Sequence, residues 1–186
     1  MKIILVTFLF SFGIIGRINA QSLDSIPDTR KFELSFGNSL LFISHSDIVS
    51  IRTQKAIIIP TSAMLLLAEF RPAKRFRIPV FVTIPLESKQ FLVNGLLVNE
   101  RASPTFGTGF QFLLYGFAVG KKVGIEFEAG GLGSCLFTET GQPRFAPVGA
   151  GRMKIIKEKN FVMYLGSSYS FGINAFSLLY GTGFAF

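Results

Sequence analysis

Phe176-Ser-Leu-Leu-Tyr-Gly-Thr-Gly-Phe-Ala-Phe186 decides the fold. Its even positions hold Phe176, Leu178, Tyr180, Thr182, Phe184 and Phe186, and its odd positions hold Ser177, Leu179, Gly181, Gly183 and Ala185. Leu179 apart, the odd set is small. Successive side chains of a strand leave on opposite faces, so a period of two means a strand with one bulky face and one slim face.

The alternation recurs upstream. From Lys31, Phe32, Leu34, Phe36, Leu40 and Phe42 oppose Lys31, Glu33, Ser35, Gly37 and Ser39, with Asn38 breaking the apolar face once. Lys55 to Phe70 is a long apolar stretch; with Glu69 turned inward, Ile58, Met64, Leu66 and Phe70 turn outward. A third strand sets Phe76, Ile78, Val80, Val82 and Ile84 against Arg77, Pro79, Phe81 and Thr83. The fourth, Thr105 to Ala118, sets Phe106, Thr108, Phe110, Phe112 and Leu114 against Gly107, Gly109, Gln111, Leu113 and Tyr115. In the fifth, Val123 to Phe137, Ile125 and Phe127 oppose Glu126 and Glu128 before a glycine-rich middle. Arg152 and Lys154 share one face of the sixth, Phe145 to Ile156, and Phe161 to Phe171 is the seventh.

Eight strands follow, and their connections differ by side. Those after the second, fourth and sixth are short and basic: Arg71-Pro-Ala-Lys-Arg75, Gly120-Lys-Lys122 and Lys157-Glu-Lys-Asn160. Pro72 cannot donate to a ladder and marks an end of pairing. Those after the first, third and fifth are longer, and only the one after the seventh is short for its side.

The chain of 186 residues has room for one domain, and 49% hydrophobic residues is high for a soluble one. Its longest apolar run, Ile3 to Ile15, is too short for a spanning helix of about 18 residues or more. With Lys2 before it and Ile18-Asn-Ala20 after it, the run reads as a secretory signal peptide over residues 1–20. Residues 21–30 are polar, contain Pro27 and form a flexible lead-in, and residues 31–186 form the barrel. Removing Lys2 and Arg17 lowers the formal charge from +8 to +6. The remaining basic residues form no stripe with interleaved aromatics, so no nucleic-acid partner is expected. Cys135 is alone and can form no intrachain disulfide. It reads as a small apolar strand residue, with pairing between chains as the alternative.

An even strand count, short turns on one side with longer loops on the other, and a terminal strand ending on Phe resemble the small OmpX-type barrels and the transmembrane domain of OmpA-type proteins. The resemblance implies an all-β, eight-stranded antiparallel up-and-down barrel, integral to the bacterial outer membrane, with its short turns facing the periplasm. It also implies outer-membrane lipids and the barrel-assembly machinery as partners, the latter reading a terminal signal carried by Tyr180, Phe184 and Phe186. Two departures are plain. The chain ends at the barrel, with no peptidoglycan-binding domain expected, and it has no Trp for the interfacial girdles.

Volume assigns the faces. The interior of an eight-stranded barrel is just wide enough for side chains to fill it, and most of the 22 Phe lie on the bulky parity. Placing that parity outside turns Glu33, Glu69, Arg77, Gln111, Glu126, Glu128, Arg152 and Lys154 inward. Buried charges must be paired, and Glu126 and Glu128 lie within reach of Arg152 and Lys154 on the next strand. The expected lumen is plugged by ion pairs and hydrogen bonds, without an open water channel.

Ser44-His-Ser-Asp47 offers a nucleophile, a base and a carboxylate. A catalytic site needs such groups to converge, and adjacent side chains of an extended segment diverge. Asp47 or Ser46 serves equally well as the cap of a helical turn over Ile48 to Thr53. The expected protein is therefore not an enzyme and carries no cofactor or metal. The alternatives are an outer-membrane lipid hydrolase or acyltransferase centred on His45, and a secreted soluble β-barrel that binds an apolar ligand. The stronger interaction feature is Phe91-Leu92-Val93-Asn94-Gly95-Leu96-Leu97-Val98, where Asn-Gly joins two apolar triplets as a hairpin. Its arms are too short to span a membrane, so it is expected to project beyond the rim as a site for a protein partner, or to fold over the barrel mouth. The basic turns at Arg71 to Arg75 and Lys121 to Lys122 are expected to meet anionic headgroups.

Overall fold

A computed structural model describes residues 21–22, 30–43, 46, 48–50, 55–120, 122–137, 141–158 and 160–186. The signal peptide and His45 lie outside these residues. The described strands are β1 (Gln21–Ser22), β2 (Phe32–Ile43), β3 (Ala56–Ile59), β4 (Thr61–Ala73), β5 (Phe76–Pro85), β6 (Lys89–Val93), β7 (Leu96–Glu100), β8 (Thr105–Val119), β9 (Val123–Phe137), β10 (Pro143–Lys157), β11 (Phe161–Ser170) and β12 (Ala175–Ala185). Eight of them close into an antiparallel barrel in the order β8-β5-β4-β2-β12-β11-β10-β9, with β8 pairing back onto β9. No described helix is long and apolar enough to cross a membrane.

Alternation fixes which way each strand faces. On β2, Phe32, Leu34 and Phe36 are exposed outside, while Glu33, Ser35 and Ser39 are buried inside. On β12, Phe176, Leu178, Tyr180 and Phe184 face out, while Ser177 and Ala185 are buried. Paired residues traced round the ring from Glu33 come back to β2 at Ile43, so the strands cross the barrel axis obliquely. The β2–β12 seam is finished by the last residue: the Phe186 amide donates to the Phe32 carbonyl at 2.7 Å, and the Phe186 carbonyl accepts from the Lys31 amide at 2.8 Å.

The barrel has a turn end, with Lys74-Arg75 and Glu158 in the tight connections, and a mouth, where the longer connections leave. A second sheet, β3-β6-β7, stands at the mouth. Ile58, expected to face outward on the second barrel strand, belongs instead to β3 and lies opposite Phe91 of β6. Pro60 is the physical reason: without an N–H it cannot carry a ladder through, and the apolar stretch splits into β3 and β4. Gln21 and Ser22, read from sequence as part of a lead-in, pair with Ala118 and Phe117 of β8. β8 is fifteen residues long and outruns its neighbour β5 at the turn end, which leaves an edge there for β1 to occupy.

Candidate functional site

The lumen divides into two layers of different chemistry. Glu33, Glu69, Arg77, Glu126, Glu128, Arg152 and Lys154 gather in the turn-end half, all buried and all pointing inward. Lys154 Nζ lies 2.9 Å from Glu33 Oε2, 2.8 Å from Glu69 Oε1 and 3.4 Å from Glu128 Oε2. Arg152 donates through Nε to Glu128 Oε2 at 2.7 Å and through Nη2 to Glu69 Oε2. Arg77 Nε stands 3.4 Å from Glu128 Oε1 and 3.6 Å from Glu69 Oε1, and its Nη2 stands 3.7 Å from Glu126 Oε2. Arg77 Nη1 turns back to donate to the Lys74 carbonyl at 2.8 Å, tying the layer to the β4–β5 turn.

Arg71 is the member that the sequence reading missed. Pro72 points to a basic turn over Arg71 to Arg75, yet β4 continues to Ala73 through an irregularity in register between Phe70 and Ala73. Arg71 therefore keeps the parity of Glu69. It is buried, donates through Nε to Glu69 Oε1 at 3.2 Å, and pairs through Nη2 with Glu33 Oε2. The signal was present, since Glu69 and Arg71 are two apart and two apart is the same face of a strand. With Arg71 included, four carboxylates face four cations, and the layer is formally neutral.

Gln111, grouped from sequence with these charges, is buried on the inner face but its amide oxygen makes no hydrogen bond to them. It lines the mouth-end half, which holds a cavity of about 170 Å³. Leu41, Leu65, Leu67, Phe81, Leu132 and Leu179 give the cavity its apolar surface. Ser168 and Ser177, paired across β11 and β12, and Ala150 on β10 give it room. Tyr164 and Arg152 lie at its foot, and Lys89, Arg101 and Arg144 line it at the mouth. Tyr164 reaches from β11 across Gly181 of β12 to Gly37 of β2; a Cβ on either glycine would collide with the phenol oxygen and with backbone. Side chains of Gly37 and Gly181 are thus excluded by the close approach of Tyr164, which separates the two layers.

The hairpin is formed by β6 and β7, with Asn94 and Gly95 at φ 51° and 84°, the left-handed conformations that a two-residue hairpin turn requires. Its β6 edge pairs with β3, so the hairpin is the middle and one side of a three-stranded sheet. Phe91 and Val93 are buried, whereas Leu96 and Leu97 are exposed. Glu100, at the end of β7, is buried, pairs with Lys89 Nζ at 3.0 Å, and accepts from the Ile48 amide at 3.0 Å and from the Ser46 hydroxyl. Ser46 Oγ in turn accepts from the Val49 amide at 2.6 Å. Ser46 is therefore engaged in holding the first long connection against the β6–β7 sheet.

Among the described residues no group of His, Cys, Asp and Glu is placed to hold a metal ion. Cys135 is free and buried, set between Phe106 and Phe145 of the flanking strands.

No family model and no curated protein matches the sequence. Among solved structures, the chain is similar to the outer membrane protein Ail of Yersinia pestis in a phospholipid bilayer nanodisc, at 11% identity over 84% of this chain and 99% of Ail, with a TM-score of 0.47. It is similar also to the outer membrane protein OprG of Pseudomonas aeruginosa, at 11% identity over 86% of this chain and 97% of OprG, with a TM-score of 0.51. The chain has the fold of a small outer-membrane β-barrel. In this outer-membrane-type barrel, Tyr180, Phe184 and Phe186 stand on the outer face of the closing strand, all exposed. Phe184 packs edge-on against Phe161 of β11 with ring centroids 5.6 Å apart.

Proposed function

We propose that the protein is a non-enzymatic integral barrel of the bacterial outer membrane, its lumen closed at the turn end by the neutral ion layer and its mouth-end sheet offered to a partner. One observation carries the reading: the polarity of the barrel is reversed relative to a protein surrounded by water. Phe36, Leu165, Phe110 and Phe145 are exposed on the outside, whereas Glu33, Glu69 and Lys154 are fully buried inside. A closed barrel satisfies every backbone group internally, which lipid requires, and lipid covers the outer apolar surface that water would penalise. This supports the membrane reading over a secreted soluble barrel. Extraction tests it: the protein should stay with the outer-membrane fraction through a urea or carbonate wash and leave it only in detergent. Release in soluble form would overturn the reading.

The closed turn end is supported by the packing of eight long charged side chains into one layer. Recordings across planar bilayers should show no large steady conductance. The role of Tyr180, Phe184 and Phe186 as an assembly signal is supported by their common outer face at the chain terminus. Deleting Phe186 should lower the amount of inserted barrel while export into the periplasm continues. A non-enzymatic role is supported by Ser46 Oγ accepting from the Ile48 and Val49 amides, the part of a turn cap.

The partner reading rests on β7. Among the described strands β7 pairs only with β6, so its other edge can accept an added strand, with Leu96 and Leu97 exposed along it. Purification from detergent-solubilised membranes should recover a protein partner with the wild type and lose it when Leu96 and Leu97 are both changed to Asp.

A further inference from the structure

The mouth-end cavity is the feature that envelope structure leaves without a use. Its volume of about 170 Å³ exceeds the roughly 150 Å³ of an engineered Leu/Ile/Phe-lined cavity that binds benzene. Native interiors are close-packed, with few voids larger than a water molecule. This void arises because Ala150, Ser168 and Ser177 stand on one wall opposite Leu65, Leu67 and Phe81 on the other. At the turn end, long charged side chains occupy the lumen instead.

The lining is graded along the axis. Leucines surround the middle, and the foot is closed by Tyr164, Gln111 and Arg152 above the ion layer. Among the described residues, the charged ones that line the mouth are Lys89, Arg101 and Arg144. Lys89 is neutralised by Glu100, and Arg144 donates to the Gly172 carbonyl at 3.3 Å. Arg101 is exposed beside the opening. A well that is apolar within, closed below and flanked at its opening by the exposed cation Arg101 matches one chemical class: an amphiphile with an anionic head and a single short alkyl chain. Water serves the leucine-lined middle poorly, since a buried water needs two to four polar partners.

We infer that the mouth half of the lumen is a binding site for such an anionic single-chain amphiphile, its chain among Leu65, Leu67, Leu132 and Leu179 and its head at Arg101. The site is a blind one. The ion layer closes its far end, so the molecule enters and leaves by the mouth. This inference rests on the barrel reading above and adds to it the class of ligand.

The test uses the full mature chain in phosphatidylcholine nanodiscs, with octanoate as the probe and octanol and octyltrimethylammonium as head-group controls. Binding is followed by methyl NMR of the leucines and by broadening from a spin-labelled octanoate. Octanoate should bind saturably, shifting lumen leucines and sparing those of the outer face, and should bind at least tenfold tighter than octyltrimethylammonium. Ala150→Phe, which fills the well from β10, and Ser177→Leu, which fills it from β12, should each weaken octanoate at least tenfold. Arg101→Glu, at the rim and outside the packed wall, should weaken octanoate about tenfold and leave octanol unchanged. The two fillers lie on different strands, so failure of one to fold leaves the other, and Arg101→Glu is independent of both. Absence of saturable binding, or binding that none of the three substitutions alters, would overturn the inference. A barrel that inserts into nanodiscs yet binds nothing leaves the membrane reading intact, whereas a chain that stays soluble without lipid defeats that reading first.

Discussion

The two halves of the lumen solve the same packing problem with opposite chemistry. At the turn end, four carboxylates and four cations fill the space with long side chains, and Lys154 alone contacts three carboxylates. At the mouth, leucines and serines line an unfilled cavity. A buried charge tolerates no missing partner, because its desolvation cost is recovered only through its pairs. An apolar wall tolerates both a void and its filling. The charged half is therefore the less tolerant of substitution, and the apolar half the more tolerant.

The largest effect should come from breaking charge balance. Lys154→Met leaves three carboxylates short of a cation and should cost about 3–5 kcal/mol, read as a lower urea midpoint for the barrel refolded in detergent. Adding Glu69→Gln restores neutrality and should recover part of that loss. If the double variant is no better than the single one, balance is not what holds the layer.

The boundary between the halves should be next. Gly181→Val drives a side chain into the Tyr164 phenol and the β2 backbone, an overpacking that should cost roughly 1–3 kcal/mol. Adding Tyr164→Ala should relieve the phenol clash but leave the backbone one, so only partial recovery is expected in the same unfolding measurement. At the mouth, Ala150→Leu should change stability by less than about 1 kcal/mol, because the added atoms enter an existing void. A loss as large as that of Lys154→Met would erase the distinction between the halves.

Salt should have the smallest effect. Raising ionic strength should leave the unfolding midpoint nearly unmoved, since buried pairs are screened far less than exposed ones. The exposed Lys122–Glu158 pair, 3.7 Å apart, is the kind that salt would weaken.

The turn-end half was largely legible in the sequence, and the mouth half was not. Period two puts Glu33, Glu126, Arg152 and Lys154 on the slim parity of their strands and barrel volume turns that parity inward, whereas the apolar stretch that holds Glu69 has no slim parity to separate by pattern. Arg71 escapes the pattern because Pro72 signals the end of a strand, although the inward parity runs on two residues beyond Glu69. The pairing of β3 with β6 was out of reach for a different reason: it joins two separate connections, and no local pattern encodes a contact of that span. The cavity was equally hidden. It is a difference in volume between residues on β4 and β5 and residues on β10, β11 and β12, and it exists only once the ring brings those strands face to face.

The seam between β2 and β12 has a kinetic consequence. Its strands come from opposite ends of the barrel sequence, and its final hydrogen bonds belong to Phe186, the last residue. Until β2 and β12 pair, any partly assembled sheet carries two unpaired edges, the sort of template on which chains aggregate. Contacts of such long separation are also slow to form, because the chain entropy between them must be lost before the contact rewards it. Pairing of β2 with β12 is thus the step in which both edges of the sheet disappear together.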